Sequence, residues 1–239
     1  MGLQLGYIGL SLLMSIILYF IASKAINHEA TTDRRLKRKP LLLVIGLVLW
    51  HVYLFLIAQS GFLQDFSFPP RVVLVIILPA FLFTGIFIFR NRNNQWIQHI
   101  PPHWLFFYQT FRILIETLFV FSVAKGVLPY QVTIEGYNMD FVFAITAPVI
   151  GILVYKRSKH SINLAVAWNF LGLTVIATIL FLFMTTIYFP DFFGSSEPLM
   201  SKDFGVYPYP LVAGFLMPSA VFMHVLSIVQ LTKRKKSRL

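Results

Sequence analysis

Gln109, Arg112 and Glu116 stand three and four residues apart in Tyr108-Gln-Thr-Phe-Arg-Ile-Leu-Ile-Glu116, a run otherwise dominated by apolar side chains. At i, i+3 and i+7 they share one face of a helix. An arginine and a carboxylate so placed can hold an anionic group, pass a proton, or neutralise each other. The flanks, Trp104–Phe107 and Thr117–Val123, have the composition of a membrane span. A charge facing lipid costs at least about 2.5–3.5 kcal/mol, so this face must meet protein or water.

The elements that carry these residues follow from composition. Of 239 residues, 57% are hydrophobic and 12% charged, against about 25% charged in soluble domains. Seven apolar stretches reach the length of a bilayer span, near 3–22, 41–60, 72–90, 103–124, 139–155, 162–188 and 208–231. The expected fold is all-α: a single polytopic transmembrane helical bundle over residues 1–239. The fifth stretch is the shortest. No repeat of matching broken segments is read, and an odd span count argues against simple duplication.

Charge sets the orientation. Sixteen of the twenty Lys and Arg residues fall in 23–40, 90–102, 156–161 and the tail after 231, and six of the nine acids fall on the opposite side. This bias implies seven spans with the N-terminus outside and the C-terminus cytoplasmic. The first span lacks a basic leader, which reads as a retained anchor. The net charge of +11 sits in short runs between apolar segments, which speaks for membrane orientation and against nucleic acid. With no cysteine there is no disulfide, thiolate nucleophile or thiolate metal site.

Other polar residues enter the apolar stretches: His51, Gln59, Thr146, Asn163, Asn169 and His224. At about 1.5 Å per residue, His51, Arg112, Asn169 and His224 lie about 12–15 Å from the basic end of their spans, with Glu116 nearer 20 Å. Four spans thus bring polar groups to one layer, in the cytoplasmic half. In one reading Arg112 and Glu116 form an i, i+4 pair, and Gln109 and Asn169 only bind helices together. In the other the layer is a ligand site or proton path. His51 and His224 could ligate a haem, though no second pair exists. A retinal protein is excluded, since span seven has no mid-span lysine. Outside, Glu135, Asn138 and Asp140 form a weaker cluster, able to ligate a hard cation or, for Asn138 or Asp140, to cap span five. Pro148 should kink that span and free a carbonyl. No phosphate loop, HExxH, serine elbow or paired-carboxylate pattern occurs, so no catalytic residue and no metal is assigned.

The motifs Gln109-x-x-Arg112-x-x-x-Glu116, Gly126-x-x-Pro129, Thr133-x-Glu135-Gly136-x-Asn138-x-Asp140 and Thr146-Ala-Pro148 resemble those of a family of uncharacterised bacterial multi-pass membrane proteins. Trp168-Asn169-x-x-Gly172 and Pro218 with His224 look like the later part of the same pattern. The resemblance implies a bacterial cytoplasmic membrane protein and carries no activity or cofactor. The expectation is a small permease- or sensor-like protein binding a small polar or anionic ligand through Gln109, Arg112, Glu116, Asn169, His51 and His224. The alternatives are a structural, partner-stabilising subunit and, behind it, a membrane-embedded enzyme or haem protein.

Overall fold

The computed structural model describes residues 2–29, 38–156 and 159–236; the basic residues Arg34, Arg35, Lys37, Arg157 and Arg238 lie outside them. The described residues form helices and turns, with no strand among them. A helix satisfies its own backbone, which an apolar chain in lipid requires. In order these are α1 (Gly2–Glu29), α2 (Lys39–Gln59), α3 (Leu78–Asn91), α4 (Trp96–His99), α5 (Pro102–Tyr108), α6 (Phe111–Ala124), α7 (Asp140–Tyr155), α8 (Lys159–Tyr188) and α9 (Met217–Lys236). Turns of π-helix, Val73–Ile77 and Val212–Leu216, lead into α3 and α9. Six helical rods are long and apolar enough to cross a membrane: Gly2–Ile26, Lys39–Gln59, Val73–Asn91, Pro102–Ala124, Ser161–Tyr188 and Val212–Arg234. α7, with 16 residues, is shorter. It runs unbroken through Pro148.

Burial ranks the helices. In the most apolar window of each, 56% of the Val212–Arg234 rod and 50% of the α5–α6 rod is buried, against 11% of α2. α9 packs on α3, α5 and α8, and is the axis around which the bundle closes. α2 lies at the rim, where its apolar side chains face outward.

The sequence reading missed a repeat. Pro69, Val73–Ile77 and Pro79 have counterparts in Pro208, Val212–Leu216 and Pro218, each 139 residues further on (208 less 69, 212 less 73, 218 less 79). A single turn of 3-10 helix precedes each copy, at Phe62–Gln64 and Lys202–Gly205. The Phe68–Pro69 and Tyr207–Pro208 peptide bonds are both cis. α3 and α9 run side by side in the same direction. A Cβ at Gly214 would lie 2.5 Å from Leu54 and 3.0 Å from Ile76, so the two π turns pack against each other. Further along, the Phe87 and Phe222 rings are 5.7 Å apart, and at the far ends Lys233 Nζ donates to Asn93 Oδ1 at 2.9 Å.

The repeat has an energetic consequence. Proline has no N–H, so Pro79 and Pro218 leave the carbonyls four residues earlier, Val75 and Gly214, without their helical donors. These two carbonyls occupy equivalent places in the repeat. Both are satisfied from α2: Tyr53 OH donates to Val75 O at 2.8 Å, and Trp50 Nε1 donates to Gly214 O at 2.7 Å. Trp50 and Tyr53 are one turn apart and their rings stack at 5.2 Å. The rim helix is therefore pinned at its middle to both copies. Trp50→Phe and Tyr53→Phe should each lower the stability of the purified protein by about 0.6–1.7 kcal/mol, the range for such bonds in membrane proteins, read from unfolding midpoints in detergent.

Candidate functional site

Arg112 projects from α6 into the bundle and is 3% exposed. The expected partner was Glu116, one turn along. The structure corrects this: Arg112 Nη2 makes a salt bridge to Asp140, the first residue of α7. Nη1 contacts His224 Nε2 of α9 at 3.3 Å, and the guanidinium carbon lies 5.2 Å over the Phe143 ring. His224 Nδ1 meets Asn169 Oδ1 of α8 at 2.9 Å, and Asn169 Nδ2 donates to Ala165 O at 2.7 Å and Ser227 Oγ at 3.0 Å. One string of polar contacts therefore joins α7, α6, α9 and α8.

Hydrogen-bond logic fixes its protons. Guanidinium has only donors, so the His224 Nε2 that faces it accepts. Nδ1 then carries the ring proton and donates to Asn169 Oδ1, whose amide nitrogen is already donating elsewhere. Both His224 nitrogens are used within the protein. Phe143 and Trp168 stack at 4.4 Å and cover the ring, with Trp168 at 5.3 Å from it. Gly172 is the space this needs: a Cβ there would lie 2.3 Å from His224 Cε1 and 2.9 Å from Phe143 Cε1.

Glu116 belongs to a second, adjoining cluster. Its carboxylate accepts from the backbone N–H of Ile134 and from Asn138 Nδ2, the latter at 3.1 Å. Asn138 Nδ2 also reaches Val132 O at 3.0 Å, and Asn138 Oδ1 accepts the N–H of Asp140, the first residue of α7, at 2.9 Å. The segment after α6 makes this possible. It turns back at Gly126, where φ is +70°, and buries Val127, Leu128, Val132 and Thr133. A Cβ at Gly136 would lie 2.5 Å from Tyr130 O, so glycine lets the segment close on itself. The far end of α7 is held beside the start of α5, with the Tyr155 and His103 rings 5.0 Å apart. At about 1.5 Å per residue, α7 climbs about 24 Å from there, which brings Asp140 near the level of Glu116 and within reach of the long Arg112 side chain.

Of the residues grouped from the sequence, the structure brings Arg112, Asn169 and His224 into one string of contacts and sets the others apart from it. Gln109 packs beside the site and donates to Ala220 O at 3.0 Å. His51 does not join: its Nδ1 meets Leu47 O at 2.9 Å and its ring packs on Phe215 at 4.7 Å. Gln59 and Asn163 are exposed, and Thr146 accepts the Trp168 indole N–H at 2.8 Å. The outer-loop cluster does not assemble either. Glu135 is exposed, while Asn138 and Asp140 are drawn into the core. Asp140 and Ser227 are the missed members. A signal for Asp140 is present, since it stands at the head of the shortest of the seven stretches.

A cavity of about 90 Å³ reaches this site. It is walled by α6, α8, α9 and the two π turns, with side chains such as Ile115, Phe119, Ile179, Phe183 and Leu216. Arg112 and Asp140 are at one end and Asp65 and Arg71 at the other. At that mouth Asp65 accepts the Ser67 N–H at 2.9 Å and pairs with Arg71. The Ser67 bond first, then the arginine, hold its carboxyl below the usual aspartate range. Comparison with protein-family models, with curated proteins and with solved structures finds nothing that matches the chain, so the family resemblance rests on the motifs alone.

Arg112→Leu should cost about 3–5 kcal/mol by leaving Asp140 buried and unpaired. Adding Asp140→Leu should recover most of that loss, whereas adding Glu116→Leu should recover none. Unfolding of the four proteins in detergent checks the pairing. Gly172→Ala should destabilise by displacing His224, and a second substitution, His224→Ala, should relieve most of that cost.

Proposed function

We propose that the chain is a permease-like protein of the bacterial cytoplasmic membrane that takes a small anion from the outer side, together with a proton. The cavity that ends on the Arg112–Asp140 pair carries this reading. An incoming anion can bind Arg112 only if Asp140 lets go, and a proton arriving on Asp140 does that without leaving a bare charge. Anion plus proton then enter as an electroneutral pair. Arg112 is the binding cation, Asp140 the proton carrier, His224 and Asn169 the support that orients the guanidinium, and Glu116 a second carboxylate held off by Asn138 and Ile134.

Two further features support transport. Repeats that run in the same direction characterise several transporter folds, as do helices that begin inside the bundle. With the folded-back segment before α7 filling the remaining height, the chain crosses seven times, N-terminus outside and C-terminus cytoplasmic. The charge bias fits this orientation. The competing reading is a subunit whose network only joins helices. It is favoured by one observation, the saturation of Arg112, His224 and Asn169 by internal partners.

Trp168, stacked against Phe143 and His224, is a built-in reporter. Titrating purified protein with small carboxylates and inorganic phosphate should change its fluorescence. Apparent affinity should rise by up to about tenfold per unit fall in pH while Asp140 is ionised. Asp140→Asn should bind more tightly and lose that pH dependence. Arg112→Gln should not bind. Ala220→Cys, at the cavity floor of a chain with no other cysteine, should react with an impermeant thiol reagent added outside. Absence of that labelling in folded protein, or pH-independent binding by the wild type, would overturn the proposal.

A further inference from the structure

A second cavity lies on the other side of α9, well away from Arg112. It measures about 590 Å³, within the size range of small-molecule sites, about 300–1,000 Å³. α1, α2, α3 and α9 wall it. The bonds of Trp50 and Tyr53 hold the middle of α2 against the π turns. From Leu47 back to Lys39 the slot separates α2 from α3 and α9. At Gly46, which lines it, nothing lies within 4 Å of where a Cβ would sit, so the missing side chain leaves the slot open.

Its polarity is one-ended. The closed end is Trp50, Gly214 and Phe215, and the indole N–H there is already spent on Gly214 O. Between the ends the walls are mostly Leu, Ile, Phe, Met, Ala and Pro, with the hydroxyls of Thr84 and Ser219 among them; the Ser219 hydroxyl is spent on Leu216 O. The open end carries the exposed Lys39, with Asn91 opposite and Arg38 adjoining on the sequence. Lys39 to Trp50 spans about 16 Å of helix, half the roughly 30 Å of a bilayer core. Water does not fill a slot of this size when its walls offer so few polar partners. An acyl chain of one leaflet does, and its phosphate then lies at Lys39.

We infer that this slot is a binding site for an anionic phospholipid of the leaflet on the Lys39 side, one acyl chain lying between α2 and α3 and the headgroup paired with Lys39. The occupant steadies the half of α2 that the described residues leave unpacked. The site is independent of the proposed anion path.

The test uses Trp50, which closes the slot. With Trp96, Trp104 and Trp168 replaced by Phe, the protein is placed in nanodiscs whose phosphatidylglycerol or, in a second set, phosphatidylcholine carries brominated chains. Brominated phosphatidylglycerol should quench Trp50 at a mole fraction about fivefold lower than brominated phosphatidylcholine, the preference one lysine gives near an anionic headgroup. Lys39→Gln should abolish the preference and leave quenching in place. Gly46→Phe should fill the slot and reduce quenching by both lipids; Ala22→Phe, from the α1 wall, does the same if the first variant fails to fold. Equal quenching by the two lipids in the parent, or quenching untouched by a folded slot-filling variant, would overturn the inference. So would a dimer whose Trp50 no brominated lipid reaches, since a second copy would then occupy the slot.

Discussion

A guanidinium taken out of water has to be neutralised and its donors used, and the centre of this bundle is arranged around that requirement. Arg112 cannot be served by its own helix, because Glu116 is turned toward the folded-back segment. Its counter-ion arrives from α7, and α7 can deliver it only by beginning inside the bundle. That in turn obliges residues 126–139 to return inward and bury their backbone. Their exposed donors, the Ile134 N–H and the Asn138 amide, are what Glu116 then accepts. Two buried carboxylates and one buried arginine thus settle into separate compartments instead of competing. Removing charge from such a site is less costly than unbalancing it.

The periphery is held by a different economy. α2 buries little of its surface and depends on two side-chain donors that answer two carbonyls released by proline. Those bonds act at one level of the helix. Toward its C-terminal end α2 buries Leu54 and Ala58, while on the N-terminal side of that level lies the 590 Å³ slot. Regions with few buried contacts open at low free energy, so α2 is the part of the bundle most free to move relative to α9. The strong axis of α5–α6 with α9 and the loosely attached rim are both largely apolar, and differ in how much they bury and in where polar atoms pair.

Much of this was legible in the chain. Apolar length marks the helices, because the bilayer imposes a length and the backbone demands a helix. Matched depth drew Arg112, Asn169 and His224 into one layer, and the structure joins them. His51 shares that depth and fails to join. Depth along a helix can be counted from a sequence, but the direction in which a side chain points around the bundle axis is set by packing. Asn138 or Asp140 is read as a helix cap because Asn and Asp commonly start helices; the cap position falls on Met139, and Asn138 just ahead of it accepts the Asp140 N–H. What that reading lacked was the height at which α7 starts. The repeat escaped notice for another reason. Proline and helical geometry are kept between the copies, while Val75 stands opposite Gly214 and Phe68 opposite Tyr207. A residue-by-residue comparison finds little there to match.

The two π turns put an extra residue into each of a pair of neighbouring helices, relative to an α-helix of the same height. Each residue rotates a helix by about 100°. Loss of one residue from Val73–Ile77 alone would therefore swing the whole face of α3 away from α9. Loss of one from each copy would turn both faces together. Insertions and deletions in this bundle are thus coupled in pairs: a length change in one arm is tolerable chiefly when the other arm has made it too.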